Sequence, residues 1–367
     1  MEVPYVDLKG QYLNHREEIL QAVDENLKSG QYILGAAVEE FENRFARLCG
    51  VKHAIGVANG TESLMISLKI WGLGPGDEVI TAPNSWISSA SSITHVGATP
   101  VFVDVLPDQN INPALIEKAI TPKTKALMPV HLTGKMADMD SILTIAQKYD
   151  LRVLEDAAQA VGARYQGHKA GSMGHIGSFS LHPLKNLNGA GDGGVLTTND
   201  DSLAKEIRLL RNHGIVDREH IQKWGYNSRL DSLQATILNV RLKYLDQITE
   251  ARRRNAKIYQ ERLSHIVECP RDAPGSFDVY HLFVIQTDHR EALKKYLESQ
   301  KIATAIHYPV PIHLYQAAAG LGYKPGAFPV AERQSQRILS LPVHQNLTAE
   351  QIHFVCDHIS LFLEKYA

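Results

Sequence analysis

Between His53 and Asn199 the chain alternates short, β-branched apolar runs with stretches of helical spacing, and nothing else in the sequence constrains the fold as strongly. Runs of this kind, buried on both faces, belong to βαβ crossovers, which build a mostly parallel sheet covered by helices. The candidate strands are HAIGVAN, DEVITAP, TPVFVDV, KALMPVHL, RVLEDAA, IGSFSLHP and GGVLTTN, enough for one seven-stranded sheet. Between them Thr61 to Trp71, Ile87 to Val96, Pro113 to Ile120 and Met139 to Tyr149 carry apolar residues at helical spacing.

At 367 residues the chain is long enough for about two domains. From Asp231 to Ser264 a stretch without Gly or Pro reads as one long helix bridging them. Beyond Pro270 a smaller unit follows: strand VYHLFVIQT, helix REALKKYLESQ, strand TAIHYPV and closing helix QIHFVCDHISLFLEKY, with GLGYKPGAFP as a surface loop. The expected fold class is α/β, with a large domain with an N-terminal arm over 1–245 and a smaller C-terminal α+β domain over 246–367.

Composition excludes several function classes. With 38 basic and 40 acidic residues the formal charge is −2, and no block of like charge forms a nucleic-acid arm. Three scattered cysteines, Cys49, Cys269 and Cys356, offer neither a disulfide framework nor a CxxC metal site, which fits a reducing cytoplasm. The start of the chain has no apolar signal-peptide core, and no uncharged apolar stretch is long enough to span a membrane. Despite 17 histidines there is no HExxH and no zinc spacing, so no metal is expected. The letters GxGxxG occur at Gly189–Gly194, but they lead into the strand-like VLTT rather than a helix, which argues against a dinucleotide site.

Four features remain that can carry chemistry. Lys185 lies in the turn-rich GSFSLHPLKNLNGAGDGG, after a strand, where a loop can present its amine to a cleft. Asp156, with Gln159 three residues on, ends the strand of VLEDAAQAVGA; alone it reads as a cap for an Ala-rich helix start. Asn59-Gly60-Thr61 joins a strand to a helix, either as a simple N-cap turn or as a phosphate seat of backbone N–H groups and a hydroxyl. Trp86, in APNSWISSA, either packs in the core or offers a face to a flat ring. Alone, each feature has an ordinary structural explanation; together they match the needs of one molecule, pyridoxal 5′-phosphate. It requires an amine for its aldehyde, a carboxylate for its ring nitrogen, a seat for its phosphate and a platform for its ring.

The ordered motifs GTESL, EDAAQA, SFSLHPLKNL, GDGG and GYNSRLDSLQA resemble those of the DegT/DnrJ/EryC1/StrS sugar aminotransferases, and the similarity extends from VDLKGQY and GQYILG to HYPVPIH and LSLPVH. The resemblance implies a fold type I, pyridoxal-phosphate-dependent enzyme that moves an amino group from L-glutamate to a nucleotide-linked ketosugar. It implies that Lys185 is the catalytic residue bonded to the cofactor, that Asp156 pairs with the pyridinium nitrogen, and that Gln159 bonds the ring hydroxyl. Gly60, Thr61 and Ser180 would hold the phosphate and Trp86 would stack on the ring. Asn227 of GYNSR would reach the phosphate of a neighbouring subunit, so that a homodimer shares its active sites, while Arg229, His307 and Tyr308 would contact substrate.

One position departs from the pattern: His182 stands where relatives often carry Tyr or Phe, and is read as a packed, hydrogen-bonded histidine. Relatives that dehydrate rather than aminate replace the lysine with histidine, so Lys185 speaks for transamination. GYNSRLDSLQA and HYPVPIH look closer to relatives that aminate C3 than C4, which implies a UDP- or dTDP-linked 3-keto sugar, with a 4-keto sugar as the alternative. The product would serve cell-surface polysaccharide, lipid A or secondary metabolite synthesis. A catalytically silent cofactor-binding regulator of the same fold is the competing class.

Overall fold

All seven runs read as strands form one sheet in the structure, a computed structural model that describes residues 1–365. Their spatial order is His53–Val57, Gly194–Thr198, Ile176–Ser180, Arg152–Asp156, Thr124–Leu127, Glu78–Thr81 and Thr99–Phe102. Gly194–Thr198 runs antiparallel to both of its neighbours, and the remaining pairs are parallel. The carboxyl ends of the other strands therefore share one rim, the edge at which open α/β sheets bind ligands.

Side chains on successive strand residues point to opposite faces, and the two faces bury different sets. Ile55, Val79, Leu154, Ile176 and Leu196 pack with Leu64, Ile66, Ile93 and Ile207 of the helices Gly60–Ile70, Ser88–His95 and Asp201–Arg211. Ala54, Ile80, Leu127, Val153, Phe179 and Val195 pack on the other face with Phe41, Phe45, Ile142 and Leu238. Local chemistry agrees with these boundaries: Asn59, Asp138 and Asp200 each cap the helix that follows by accepting a backbone N–H. Two helices were not singled out from sequence: Ala36–Cys49 completes the large core, where Phe45 meets Phe179 edge-on at 5.0 Å, and Arg16–Ser29 packs Ile19 on Ile237 and Val240 in a small separate cluster.

The expected long helix is two helices, Ser232–Leu242 and Leu245–Leu263. No Gly or Pro breaks it; the cause is tertiary. Tyr244 stacks on His15 with centroids 3.8 Å apart, and its hydroxyl donates to Glu18 at 2.7 Å, so the N-terminal helix fixes the kink.

A second core gathers Tyr259, Phe283, Leu297, Leu339, Val355 and Ile359 around the antiparallel pair Phe283–Gln286 and Ile338–Leu341, and it includes Val3 from the start of the chain. The expected strand TAIHYPV is not formed; only Ala305 bridges Ser340, because the neighbouring place in the ladder belongs to Ile338–Leu341, which the reading missed. The loop GLGYKPGAFP is not merely surface. Phe328 is buried, and Tyr323 packs 5.6 Å from Phe102 while its hydroxyl accepts the Phe102 N–H. The closing helix spans Ala349–Leu363 behind a Thr348–Gln351 capping box; Tyr366, where it was expected to end, lies outside the described residues. Among the described residues no helix is long and apolar enough to cross a membrane.

Candidate active site

The rim built by these strands collects most of the residues singled out from sequence. Strand Arg152–Asp156 ends in a pair of buried carboxylates with different partners. Glu155 accepts N–H groups from Gly171, Met173 and Gly174 and the Nε2–H of His131, whose Nδ1 is taken by the Ala137 N–H. Burial works against that charge, but these donors outweigh it and hold the carboxyl below its ordinary value. Asp156 instead accepts Ser89 Oγ at 2.8 Å on one oxygen and the Ala158 N–H at 3.3 Å on the other. It closes a turn rather than capping a helix. Burial dominates and raises its pKa, opposed by Ser89, Ala158 and the cation of Lys185.

Lys185 follows strand Ile176–Ser180 on a loop closed by its own N–H to the His182 carbonyl at 2.8 Å. Its amine is pulled down to about 8, because burial disfavours the cation more than Asp156 restores it. Its charge acts on two imidazoles. His307 bonds Ser340 Oγ through Nδ1 at 2.9 Å, and burial, then Lys185, push it down to about 4. His281 bonds Asn186 at 3.3 Å, and burial, with Lys185 next, holds it well below the ordinary value. Both are neutral near pH 7, while the lysine, at about 8, exchanges protons close to that pH.

Gln159 ties two walls of the cleft together: its Oε1 accepts the Thr133 N–H at 2.7 Å and its Nε2 donates to Tyr308 at 3.3 Å. The Tyr308 ring lies 5.6 Å from that of Trp86, which is more than half exposed rather than packed in the core. Gly60 opens helix Gly60–Ile70 directly against Ser180, and a Cβ on Gly60 would approach Ser180 Cβ to 2.8 Å. The first bond within that helix runs from the Ser63 N–H to Asn59, so the Gly60 and Thr61 amides precede it at the positive end of the helix. Thr61 Oγ1 pairs with Ser88 at 2.8 Å. The run Gly189–Gly194 enters strand Gly194–Thr198, where a Cβ on Gly194 would collide with the Asn59 carbonyl. Gly194 thus serves packing beside the helix start, while Gly189 and Gly191 lie against Gln234 and Gly193 against Leu181 and Leu230.

Asn227 and Arg229 are not in this cluster. They sit on a separate segment, where Asn212 bridges Asn227 and accepts Arg229 Nη1 at 3.0 Å, and Asn227 is exposed. His182 is exposed rather than packed, with Nδ1 accepting the Leu184 N–H at 3.3 Å. Sequence reasoning missed Ser89, His281 and Tyr5, the last stacked on His307 with centroids 5.9 Å apart. The four-residue step from Ser85 to Ser89 in NSWISSA was the available signal for the first; His281 and Tyr5 reach the site only through the tertiary fold.

The site is thus a neutralisable amine beside a buried carboxylate, flanked by a helix start and an exposed aromatic ring. Comparisons with known proteins agree with one another on this chain. The model of the DegT/DnrJ/EryC1/StrS aminotransferase family matches residues 14–360. The UDP-N-acetyl-3-dehydro-alpha-D-glucosamine 3-aminotransferase of Acidithiobacillus ferrooxidans is 44% identical over 95% of each chain. A "pleiotropic regulatory protein" of Geobacillus stearothermophilus is 43% identical over the whole of both chains. The structure of S. venezuelae DesV in complex with a ketimine intermediate superposes with a TM-score of 0.97, at 41% identity and 99% coverage of each chain.

Proposed function

This chain belongs to the DegT/DnrJ/EryC1/StrS aminotransferase family, and on that basis we propose that it is a pyridoxal-phosphate enzyme moving an amino group from L-glutamate to a nucleotide-linked 3-keto sugar. The observation that carries the reading is that Lys185 and Asp156 meet at the sheet rim closely enough to act on each other's charge, an amine pulled down to about 8 and a buried carboxylate. The residues present fit the cofactor. The contact between Gly60 and Ser180 leaves no room for a side chain and brings backbone amides of a helix start to where a phosphate would sit. When bound, the cofactor supplies an electrophilic carbon and an electron sink.

The chain's own residues do the rest. Lys185 takes the proton from the donor's Cα and returns it during the exchange, a role suited to an amine that is partly neutral near pH 7 to 8. Asp156 would hold the charge that keeps the ring nitrogen protonated, and Gln159, braced by Thr133, would bond the ring hydroxyl. Gly60, Thr61 and Ser180 bind phosphate; Trp86 and Tyr308 wall the cleft. His307 and Tyr308 contact the substrate, and Arg229, which lies outside this cluster beside Asn227, would reach it only from a neighbouring copy. Both the substrate named for the Acidithiobacillus relative and the C3-like motifs favour a 3-keto sugar.

We also assign the two cores to two domains meeting near residue 245, and the active assembly to a homodimer. Trp224 is 97% exposed, with Ile221 and Val216 exposed beside it, on the segment that carries Asn227. An exposed apolar group of this kind marks an interface, and a second copy covering it would bring Asn227 to the partner's phosphate seat.

The test is optical and chemical. The purified protein is expected to be yellow, to change colour with glutamate and to lose the band in Lys185→Ala. Mass spectrometry and NMR on a panel of 3-keto and 4-keto nucleotide sugars should find amination at C3. A catalytically silent regulator, the reading favoured by the name of the Geobacillus relative, would keep the colour and release no 2-oxoglutarate with any sugar in the panel.

A further inference from the structure

The turn that carries Trp86 outward also carries two serines inward. Ser85 is 5% exposed and Ser89 1% exposed; their hydroxyls are 2.8 Å apart, and Ser89 Oγ lies 2.8 Å from Asp156 Oδ2. When Asp156 is ionised, as pairing with a protonated ring nitrogen requires, it only accepts, so the single proton of Ser89 must point at it. Ser89 Oγ is then free only to accept, and the proton of Ser85 must point at Ser89. The chain of donors has one direction, Ser85 to Ser89 to Asp156, and each bond polarises the next.

We propose that Ser89, backed by Ser85, is a positioning residue that fixes the plane of the Asp156 carboxylate for the cofactor's ring nitrogen. The proposal rests on the reading of Asp156 as the partner of that nitrogen. A carboxylate has about four acceptor positions. Ser89 occupies one on Oδ2 and the Ala158 N–H one on Oδ1. Bonds to both oxygens stop the group from turning about its Cβ–Cγ bond and leave acceptor positions for the ring. The Ala158 contact, at 3.3 Å, is the longer, so the hydroxyl at 2.8 Å is the better anchor. The same turn, held by the Ser89 N–H to the Trp86 carbonyl at 3.1 Å, sets the exposed indole, so one element places both the ring's platform and its charged partner.

The test compares two ligands of the cofactor-free enzyme: pyridoxal phosphate, and its deaza analogue in which carbon replaces the ring nitrogen. Both offer the aldehyde and the phosphate; only the first can pair with Asp156. Dissociation constants from quenching of tryptophan fluorescence should show the wild type preferring the natural cofactor. Ser89→Ala should shrink that preference roughly 10- to 100-fold, the worth of a hydrogen bond to a charged group, by weakening the natural cofactor and sparing the analogue. Ser85→Ala should act in the same direction by a few fold, and it decides the matter alone if Ser89→Ala does not fold. Ser92→Ala is the control: it removes a buried hydroxyl from the same helix that donates only to the Ser89 carbonyl, at 3.3 Å, and should leave the ratio unchanged. Equal weakening of both ligands by Ser89→Ala, or an unchanged ratio, overturns the proposal. A wild type that binds both ligands equally removes the reading of Asp156 itself, and the proposal falls with it.

Discussion

Lys185 destabilises the protein when no cofactor holds its amine. Its folded value of about 8 lies below the ordinary lysine value of 10.5. Below pH 8 the folded state carries a cation that its surroundings disfavour, and the penalty is complete; it fades as pH rises from 8 to 10.5, where the unfolded chain also gives up the proton. Lys185→Met should therefore stabilise the cofactor-free protein by roughly 2 to 3 kcal/mol at pH 7, and the gain should vanish near pH 10.5. Urea unfolding at several pH values measures it, and a gain independent of pH would contradict it. Lys185 and Asp156 were legible in sequence because their chemistry lies in the residues and their neighbours, a turn-rich loop and a strand end. His281 was not: it reaches Asn186 across 95 positions, and no local pattern records such a meeting.

Among the elements, the central strands could be read from sequence because burial on both faces demands continuous β-branched runs. Strand Ile338–Leu341 and the bridge at Ala305 were not, since which of two short apolar runs joins Phe283–Gln286 is settled by the fold around them. The break before Leu245 shows the same limit, because it is enforced by His15 and Glu18. Long-range capping is a further case. Asp104, next to the end of strand Thr99–Phe102, accepts the N–H groups of Val330 and Ala331, both at 2.9 Å, at the start of helix Pro329–Arg337. Asp104→Ala should cost about 1 to 2 kcal/mol, as loss of an N-cap does. It should also speed hydrogen exchange in that helix before the central sheet responds; uniform exchange across the protein would show that the cap is not local to the helix.

For the molecule as a whole, the proposed homodimer would use the exposed Ile221 and Trp224 to tie assembly to cofactor retention. Ile221→Glu places a charge on the surface assigned to the partner and should convert the dimer to monomer in sedimentation, with weaker cofactor binding in step because Asn227 is withdrawn. Asn227→Ala should weaken the cofactor and leave the dimer intact. Monomers that bind cofactor normally would separate assembly from the site.

Val3 is bridged to Ile302, through backbone bonds to Lys301 and Ala303, and Tyr5 lies against His307. Residues 3 to 5 therefore have their places in structure made about 300 positions later. At roughly 5 to 20 residues per second they wait on the order of 15 to 60 seconds for it. The sheet at the centre is free to form during that interval, whereas the pocket around the imidazoles is finished only once residues beyond 300 have been made. Nascent chains arrested before residue 300 should accordingly hold a folded sheet and an unfinished pocket, with the leading segment still open to protease.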